Sequence, residues 1–535
     1  MVTSPCSLAR HMPMIDMIRR RLGQGREMAL GEMARLAGLP VRHHGICRHA
    51  IEDWLRDLRS AQPARDRIAI LALRNITWID WAVYAACVLR SLGHAATIYY
   101  SAADVRRAHG NPIRHFNLWE AVPRIPDIEL VDLDKEGPER HPEWLEETAQ
   151  VWSTAGVAYD LGLEEEEVRA NRAKFSDELG AYVRRSVRLG HALHDHLSTR
   201  DDIDRLIVYS GLIDCTPTLL EVGRRCRLPT VCVEGWAWRA GHMIYNLDAP
   251  ALEYNVVGWL QSFGTWSADQ CQSVKDYLNF VDGGGAQAAW LDSFQRIQQA
   301  DKDARIPPHV ESFCRGESPI FLAAPNVIGD SSLFRRETIF PSQRVWLESL
   351  IADFRNHPDR KLIVRVHPAE LWVGAKCRSP VGPIARNLAS GLANVLVIDA
   401  HEKCNTFALA PFIRAGLAWV STAGPELTAR GIPVVCGAKP KYSGMGICAE
   451  PASREEFFAL IGRHAAGVEP PSEAQRVRAM QYLYLVFKGF SFDAFSPTYT
   501  ARGCRMHGRP LQAEHDRFYG IIAGDEPMPD QPAAQ

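Results

Sequence analysis

The run Arg67-Ile68-Ala69-Ile70-Leu71-Ala72-Leu73 has no polar side chain after its first residue. A strand with one wet face alternates polar and apolar positions. A strand that is apolar throughout is buried on both faces, the setting of parallel sheets covered by crossover helices. The pattern recurs, and no other feature narrows the fold as much. A helix over Trp81–Leu92 stops at Gly93 and Ala95–Tyr100 is the next strand, so the chain opens with a β-α-β unit, right-handed by rule. Ile128–Asp132 reads as a third strand, Leu206–Tyr209 and Thr230–Glu234 as two more, with a helix over Pro217–Arg227 between them. A second series starts near Pro319, with strands at Ile320–Ala324, Leu362–Val366, Val395–Ile398, Leu417–Val420 and Ile432–Cys436. Helices separate them, such as Gln343–Phe354, with Trp346, Leu347, Leu350, Ile351 and Phe354 on one stripe.

This alternation predicts an α/β protein of two Rossmann-like domains facing a central cleft, with a helical N-terminal lead-in. The expected divisions are a helical segment over 1–66, a first domain over 67–310 carrying a helical insertion at 137–200, a second domain over 311–490, and a tail over 491–535 ending in a Pro-rich stretch. Residues 255–317 read as helical, with Gly283-Gly284-Gly285 as a flexible loop. The acidic run Glu164–Glu167 reads as an exposed helix face. The Arg-rich lead-in is read as a solvated face or as a contact for an anionic lipid-linked acceptor at the membrane surface.

Composition excludes several classes. Net charge is -2 over 535 residues, which gives no general attraction to nucleic acid. No apolar stretch is long enough for a membrane helix, and the N-terminus has no signal-like apolar region. The 13 cysteines include no Cys-x-x-Cys, so reduced thiols in a cytoplasmic protein are expected. There is no Walker loop and no Gly-x-Gly-x-x-Gly after a strand, and no Asp-x-Asp is read as a metal motif. No metal or cofactor is therefore expected.

In an open α/β sheet, ligands bind outside the carboxyl ends of the strands. Polar residues at those ends are the candidates. Arg365 and His367 share one side of their strand, and Pro368 ends it; His367 is suited to donating to a phosphate oxygen. Ser421, Thr422 and Gly424 open a helix, where hydroxyls and unpaired N–H groups favour an anion or simply cap the helix; Glu426 in its first turn suits the helix dipole or a ribose diol. Gly431 reads as a helix C-terminal cap. Lys439, Lys441, Tyr442, Gly444 and Gly446 read as a basic, mobile loop over the same crevice. The turn Asn326–Ser332, containing Asp330, is placed to touch a nucleotide or to hinge the halves. In the first domain Glu234 ends a strand before Gly235, Trp236, Trp238, Arg239 and His242. It is either a general base raised by burial or a salt-bridge partner of Arg239.

Over residues 318–447 these motifs, in this order, resemble those of the bacterial capsule polysaccharide biosynthesis proteins, GT-B glycosyltransferases similar to Kdo transferases and, more distantly, to bacterial sialyl- and polysialyltransferases. The resemblance is weaker over 200–260 and absent from 1–66. It implies a GT-B-like fold and an inverting, metal-independent transfer from a nucleotide sugar, CMP-linked in many relatives, to a surface polysaccharide or its glycolipid acceptor. It implies that His367, Ser421 and Thr422 bind the donor phosphate and nucleotide, with Glu426 on the ribose side; Glu234 and His367 are the expected catalytic residues, and Arg365, Pro368, Gly424, Asn326, Asp330, Lys441 and Tyr442 complete the expected donor site. Trp236 and Arg239 would then serve the acceptor. The sialyltransferase-like base lies in an acidic-acidic-Gly motif; here Val233-Glu234-Gly235 keeps only the second acid, with Glu234 at the base position. Two alternatives stay open: transfer of a glycerophosphate-type group from a CDP-linked donor, and a non-catalytic nucleotide-sugar-binding assembly subunit. The expected location is the cytoplasm, at the inner face of the membrane if the lead-in binds there.

Overall fold

The structure is a computed structural model that describes residues 66–73, 76–109, 125–134, 141–235, 242–253, 266–281, 306–373, 377–467, 469–486, 492–493, 499–500, 503–504 and 513–525. The lead-in before Asp66, the Gly283–Gly285 triplet, and Trp236, Trp238 and Arg239 lie outside them.

The first half runs β1 (Arg67–Ala72), α1 (Ile76–Ser91), β2 (Ala95–Tyr100), α2 (Ala102–His109), β3 (Ile128–Asp132), α3 (Glu143–Leu161), α4 (Glu165–Ala170), α5 (Ser176–Ser198), β4 (Ile203–Tyr209), α6 (Thr216–Arg225), β5 (Thr230–Gly235) and β6 (His242–Leu247). Helices α7 (Ala268–Val281) and α8 (Pro308–Cys314) lead to the second half. That half has β7 (Ile320–Ala324), α9 (Gln343–Asn356), β8 (Lys361–Arg365), α10 (Glu370–Val373), α11 (Val381–Leu388), β9 (Val395–Ile398), β10 (Ile413–Ala418), α12 (Ala423–Ala429), β11 (Val434–Cys436), α13 (Arg454–Ala466) and α14 (Glu473–Tyr484). A short strand β12 (Phe492–Asp493) and helix α15 (Ala513–Ala523) follow.

The sheets have the same topology. The first is ordered β12-β6-β5-β4-β1-β2-β3 and the second β11-β10-β7-β8-β9. β1 to β5 pair in parallel, as do all five strands of the second sheet, while β6 and β12 join antiparallel. Counted from its first strand, each parallel set reads 3-2-1-4-5, the doubly wound order. The chain therefore holds two Rossmann-like sheets, as the apolar runs implied. Every residue of β1 after Arg67 and every residue of β7 is buried.

The end of the chain returns to the first half. β12 extends the first sheet beyond β6, and Phe518 and Tyr519 of α15 are fully buried against Tyr245 and Tyr84. Helix α1 is thus covered on two sides, which explains why Trp81 to Arg90 are all buried where an amphipathic pattern would leave one face wet. Residues 491–535, read from sequence as a tail, therefore include a covering element of the first sheet.

The acidic run is not an exposed face. Glu165 is 6% exposed and accepts from Thr154 Oγ1 at 2.9 Å and from the Arg169 guanidinium at 3.0 Å. Glu164 accepts from the Arg344 N–H at 3.2 Å and so caps α9 from the other half of the molecule. Beside it Gly162, left-handed at the end of α3, touches Gly329, and Arg335 lies over Trp152 at 3.7 Å. These contacts join the α3–α4 insertion to the second half.

Candidate functional site between the sheets

In each sheet the strand order reverses between its first and fourth strands, β1/β4 and β7/β10, and a crevice opens at the carboxyl ends there. In the second half that crevice is built by Asn326 and Ser421. Asn326 Oδ1 accepts from the Val420 N–H at 3.2 Å, tying the two strand ends together. Gln343 holds Asn326 in place from α9, accepting from its N–H at 2.7 Å and donating to its carbonyl at 2.9 Å. Ala323 pairs with Val364 across β7 and β8, so the turns carrying Asn326 and His367 leave the sheet from neighbouring strands. His367 is half-buried, and its Nδ1 accepts from the Ala369 N–H at 3.1 Å. That bond places the proton of the neutral ring on Nε2. Pro368 sits in the turn just after it, also half-buried.

Several expected donor contacts are placed otherwise. Arg365 is 3% exposed, and its guanidinium donates to the carbonyls of Asp399 at 2.8 Å and Cys404 at 3.3 Å. It is a strut holding the loop after β9. Glu426 is 4% exposed and accepts from the Tyr277 hydroxyl, so its carboxylate belongs to the contact between α12 and α7. Tyr442 is 1% exposed, and its hydroxyl donates to the Ser421 carbonyl at 2.9 Å. A Cβ on Gly424 would stand 2.2 Å from the Tyr442 oxygen, so Gly424 is required by that packing. The loop carrying Tyr442 is pinned, with Glu450 accepting from the Gly444 N–H at 2.9 Å and from the Ser443 hydroxyl. Ser421 and Thr422 stay half-exposed at the start of α12, with Ser421 Oγ accepting from the Ala423 N–H at 3.2 Å.

The expected residues meet most closely across the cleft. Glu234, at the end of β5, reaches the loop after β7, where the Ser331 hydroxyl donates to its Oε1 at 3.5 Å. Its Oε2 is buried and has no hydrogen-bond partner among the described residues. Burial pushes the Glu234 carboxyl up to about 7, opposed by the neighbouring Ser210 hydroxyl and the Lys441 charge, and assisted by Asp330. Lys441, in the loop after β11, is pulled down to about 8 by its own burial, with Asp330, Glu234 and Glu253 opposing and Arg336 assisting. A carboxyl that titrates near 7 is fitted to accept a proton at neutral pH, and the ammonium beside it to balance developing negative charge.

Sequence reasoning missed Ser210, Glu253 and Arg336. Ser210 follows the apolar run Leu206–Tyr209 directly. The strand-end rule applied to the second half would have found it in the first. Glu253 and Arg336 lie in loops with no periodicity to place them. Among the described residues, Asp66, His94 and Asp525 group their side chains as a metal site requires, but they stand at the amino ends of β1 and β2, away from this cleft.

No family model and no curated protein matches the chain. Solved structures do align with it. The Thermosulfurimonas dismutans KpsC β-Kdo 2,7 transferase aligns at 13% identity over 54% of this chain and 79% of its own, with a TM-score of 0.32. CalG4, the calicheamicin glycosyltransferase, aligns at 13% identity over 86% of this chain and 100% of its own, with a TM-score of 0.29. A UDP-GlcNAc 2-epimerase from Neisseria meningitidis, bound to UDP-GlcNAc, aligns at 13% identity over 78% and 99%, with a TM-score of 0.26. Similarity at this level decides nothing about the reaction.

Proposed function

We propose that this protein is a glycosyltransferase that moves a sugar from a nucleotide-sugar donor to a surface polysaccharide or its lipid-linked acceptor. In this reading the donor lies in the crevice at Asn326, His367, Ser421 and Thr422, and the acceptor approaches from the first half. Glu234 takes the proton of the acceptor hydroxyl. The freed oxygen attacks the anomeric carbon from the face opposite the nucleotide, the bond to the phosphate oxygen breaks, and configuration inverts. Lys441 and the Nε2–H of His367 balance the charge left on the phosphate, so the reaction is proposed to run without a metal.

The observation that carries this reading is Glu234. Its carboxylate faces residues of the second half and has a buried oxygen, and its carboxyl titrates near 7. Holding a carboxylate there costs stability, which catalysis explains and simple nucleotide binding does not. The test is donor turnover with CMP-, UDP-, GDP- and CDP-sugars in the presence of EDTA. Glu234→Gln is expected to lower turnover by about 10²- to 10⁴-fold, the usual contribution of a general base. Turnover unchanged by Glu234→Gln would refute the base, and an absolute need for added Mg²⁺ or Mn²⁺ would refute the metal-free route.

A further inference from the structure

Strands β1 and β2 begin side by side, with Arg67 paired to Ala95 and the Ala95 N–H donating to the Asp66 carbonyl at 2.8 Å. Asp66 and His94 therefore stand next to each other just before the two strands. Gly93, with φ of +102°, ends α1 in a left-handed turn, and the His94 N–H closes that turn on the Leu89 carbonyl at 3.0 Å. The turn folds the imidazole inward, where it is 1% exposed. A second left-handed glycine does the same near the other end of the chain. Gly524 has φ of +96°, and Asp525 after it donates its N–H to the Gly520 carbonyl at 2.9 Å. That turn ends α15 and brings the Asp525 carboxylate to His94, with Oδ2 standing 2.7 Å from Nε2.

Three side chains from distant segments thus converge. One oxygen of Asp66, one of Asp525 and a ring nitrogen of His94 all lie within 4.8 Å of one another. The imidazole is buried and held by its turn, while both carboxylates are exposed, so the group opens to solvent. Two carboxylates this close repel unless a positive charge stands between them. Neither has a Lys or Arg ion-pair partner among the described residues. Arg205 of β4 attracts Asp525 from beside Gly524, but it is drawn to Asp248 as well. His94 Nδ1 is buried without a partner, so among the described residues the ring's polar contact is on the carboxylate side.

We infer that Asp66, His94 and Asp525 bind a divalent transition-metal ion of the zinc type, which straps α15 to the first sheet. One imidazole and two carboxylates suit zinc, whereas calcium and magnesium take oxygen ligands. Zinc holds such atoms at about 2.0–2.2 Å, so neighbours in a tetrahedron stand roughly 3.4 Å apart. The His94–Asp525 pair has to open by less than about an ångström, which the exposed Asp525 carboxylate achieves by turning toward solvent. Water completes the fourth position. The three ligands meet only when the chain is folded, so binding energy becomes folding energy. The site lies a strand's length, roughly 20 Å, from the strand ends that carry Glu234. The ion is therefore structural, and the inference does not depend on the transferase reading.

The experiment uses the whole chain, stripped with a chelator and returned to chelator-free buffer, beside Asp66→Asn and Asp525→Asn. Both substitutions fall at exposed positions and keep the side-chain shape, so the fold is retained. Excess Zn²⁺ is expected to raise the parent's melting temperature by about 2 °C or more and to slow amide exchange in α15. Each Asn variant is expected to lose most of both effects. Zinc taken up by thiols elsewhere acts alike on all three proteins and cancels in the comparison. No rise in the parent overturns the inference, as does an equal rise in the variants. A rise with Mg²⁺ or Ca²⁺ as large as that with Zn²⁺ also overturns it, because screening of two carboxylates would then suffice.

Discussion

Glu234 is where folding and chemistry pull against each other. Its folded pKa of about 7 lies above the ordinary 4.5, so the folded state holds this proton more tightly than the unfolded chain. Its contribution to stability is complete below the ordinary value and is lost as pH rises through the folded one. Glu234→Gln should therefore melt like the parent near pH 4.5 and be more stable by about 3 kcal/mol at pH 8, each pKa unit being worth about 1.4 kcal/mol. Melting curves across that range check it; a gain that is constant with pH would mean the carboxyl titrates elsewhere. The same group sets the rate profile. kcat/KM is expected to rise through about 7 as Glu234 ionises and to fall through about 8 as Lys441 loses its proton, giving a narrow bell. A flat profile over that range would remove both groups from catalysis.

Among elements, the loops after the strands do the positioning, and close backbone approaches fix the loops. Gly329 has φ of +87° and meets Gly162 so closely that a Cβ would lie 2.9 Å from the Gly162 Cα. Gly329→Ala should cost about 1–3 kcal/mol in urea unfolding, because both the φ and the space oppose it. Gly424 differs: it lies in α12, and its need is only room for Tyr442. The ten parallel strands were legible in the sequence, since burial on both faces leaves uninterrupted apolar runs, whereas the antiparallel β6 and β12 were not. Glu234, Asp330 and Lys441 were legible as strand-end polar residues, and these do converge. Arg365, Glu426 and Tyr442 obey the same rule and turn inward. Strand position says that a side chain reaches the loop layer, not whether a carbonyl, a neighbouring helix or the cleft receives it. The Glu164–Arg344 contact was illegible for a related reason: it joins residues 180 positions apart, and local pattern carries no such information.

At the scale of the whole molecule, the two halves are not sequential beads, because α15 and β12 complete the sheet that β1 begins. Phe518→Ala should destabilise the protein by about 3–5 kcal/mol, the scale for emptying an aromatic site in a core. Its denaturation should expose the first half before the second, read as early loss of amide protection in α1; simultaneous loss in α1 and α9 would show a single cooperative unit. The returning helix also dictates an order of events during synthesis. A ribosome makes chain at about 5–20 residues per second, and all of the second half emerges between α1 and the helix that covers it. Over that interval the ring of Tyr519, which packs on Tyr84 of α1 in the finished protein, has yet to be synthesised. The sheet that the chain begins first is therefore the one it completes last, after every strand of the second sheet has been made.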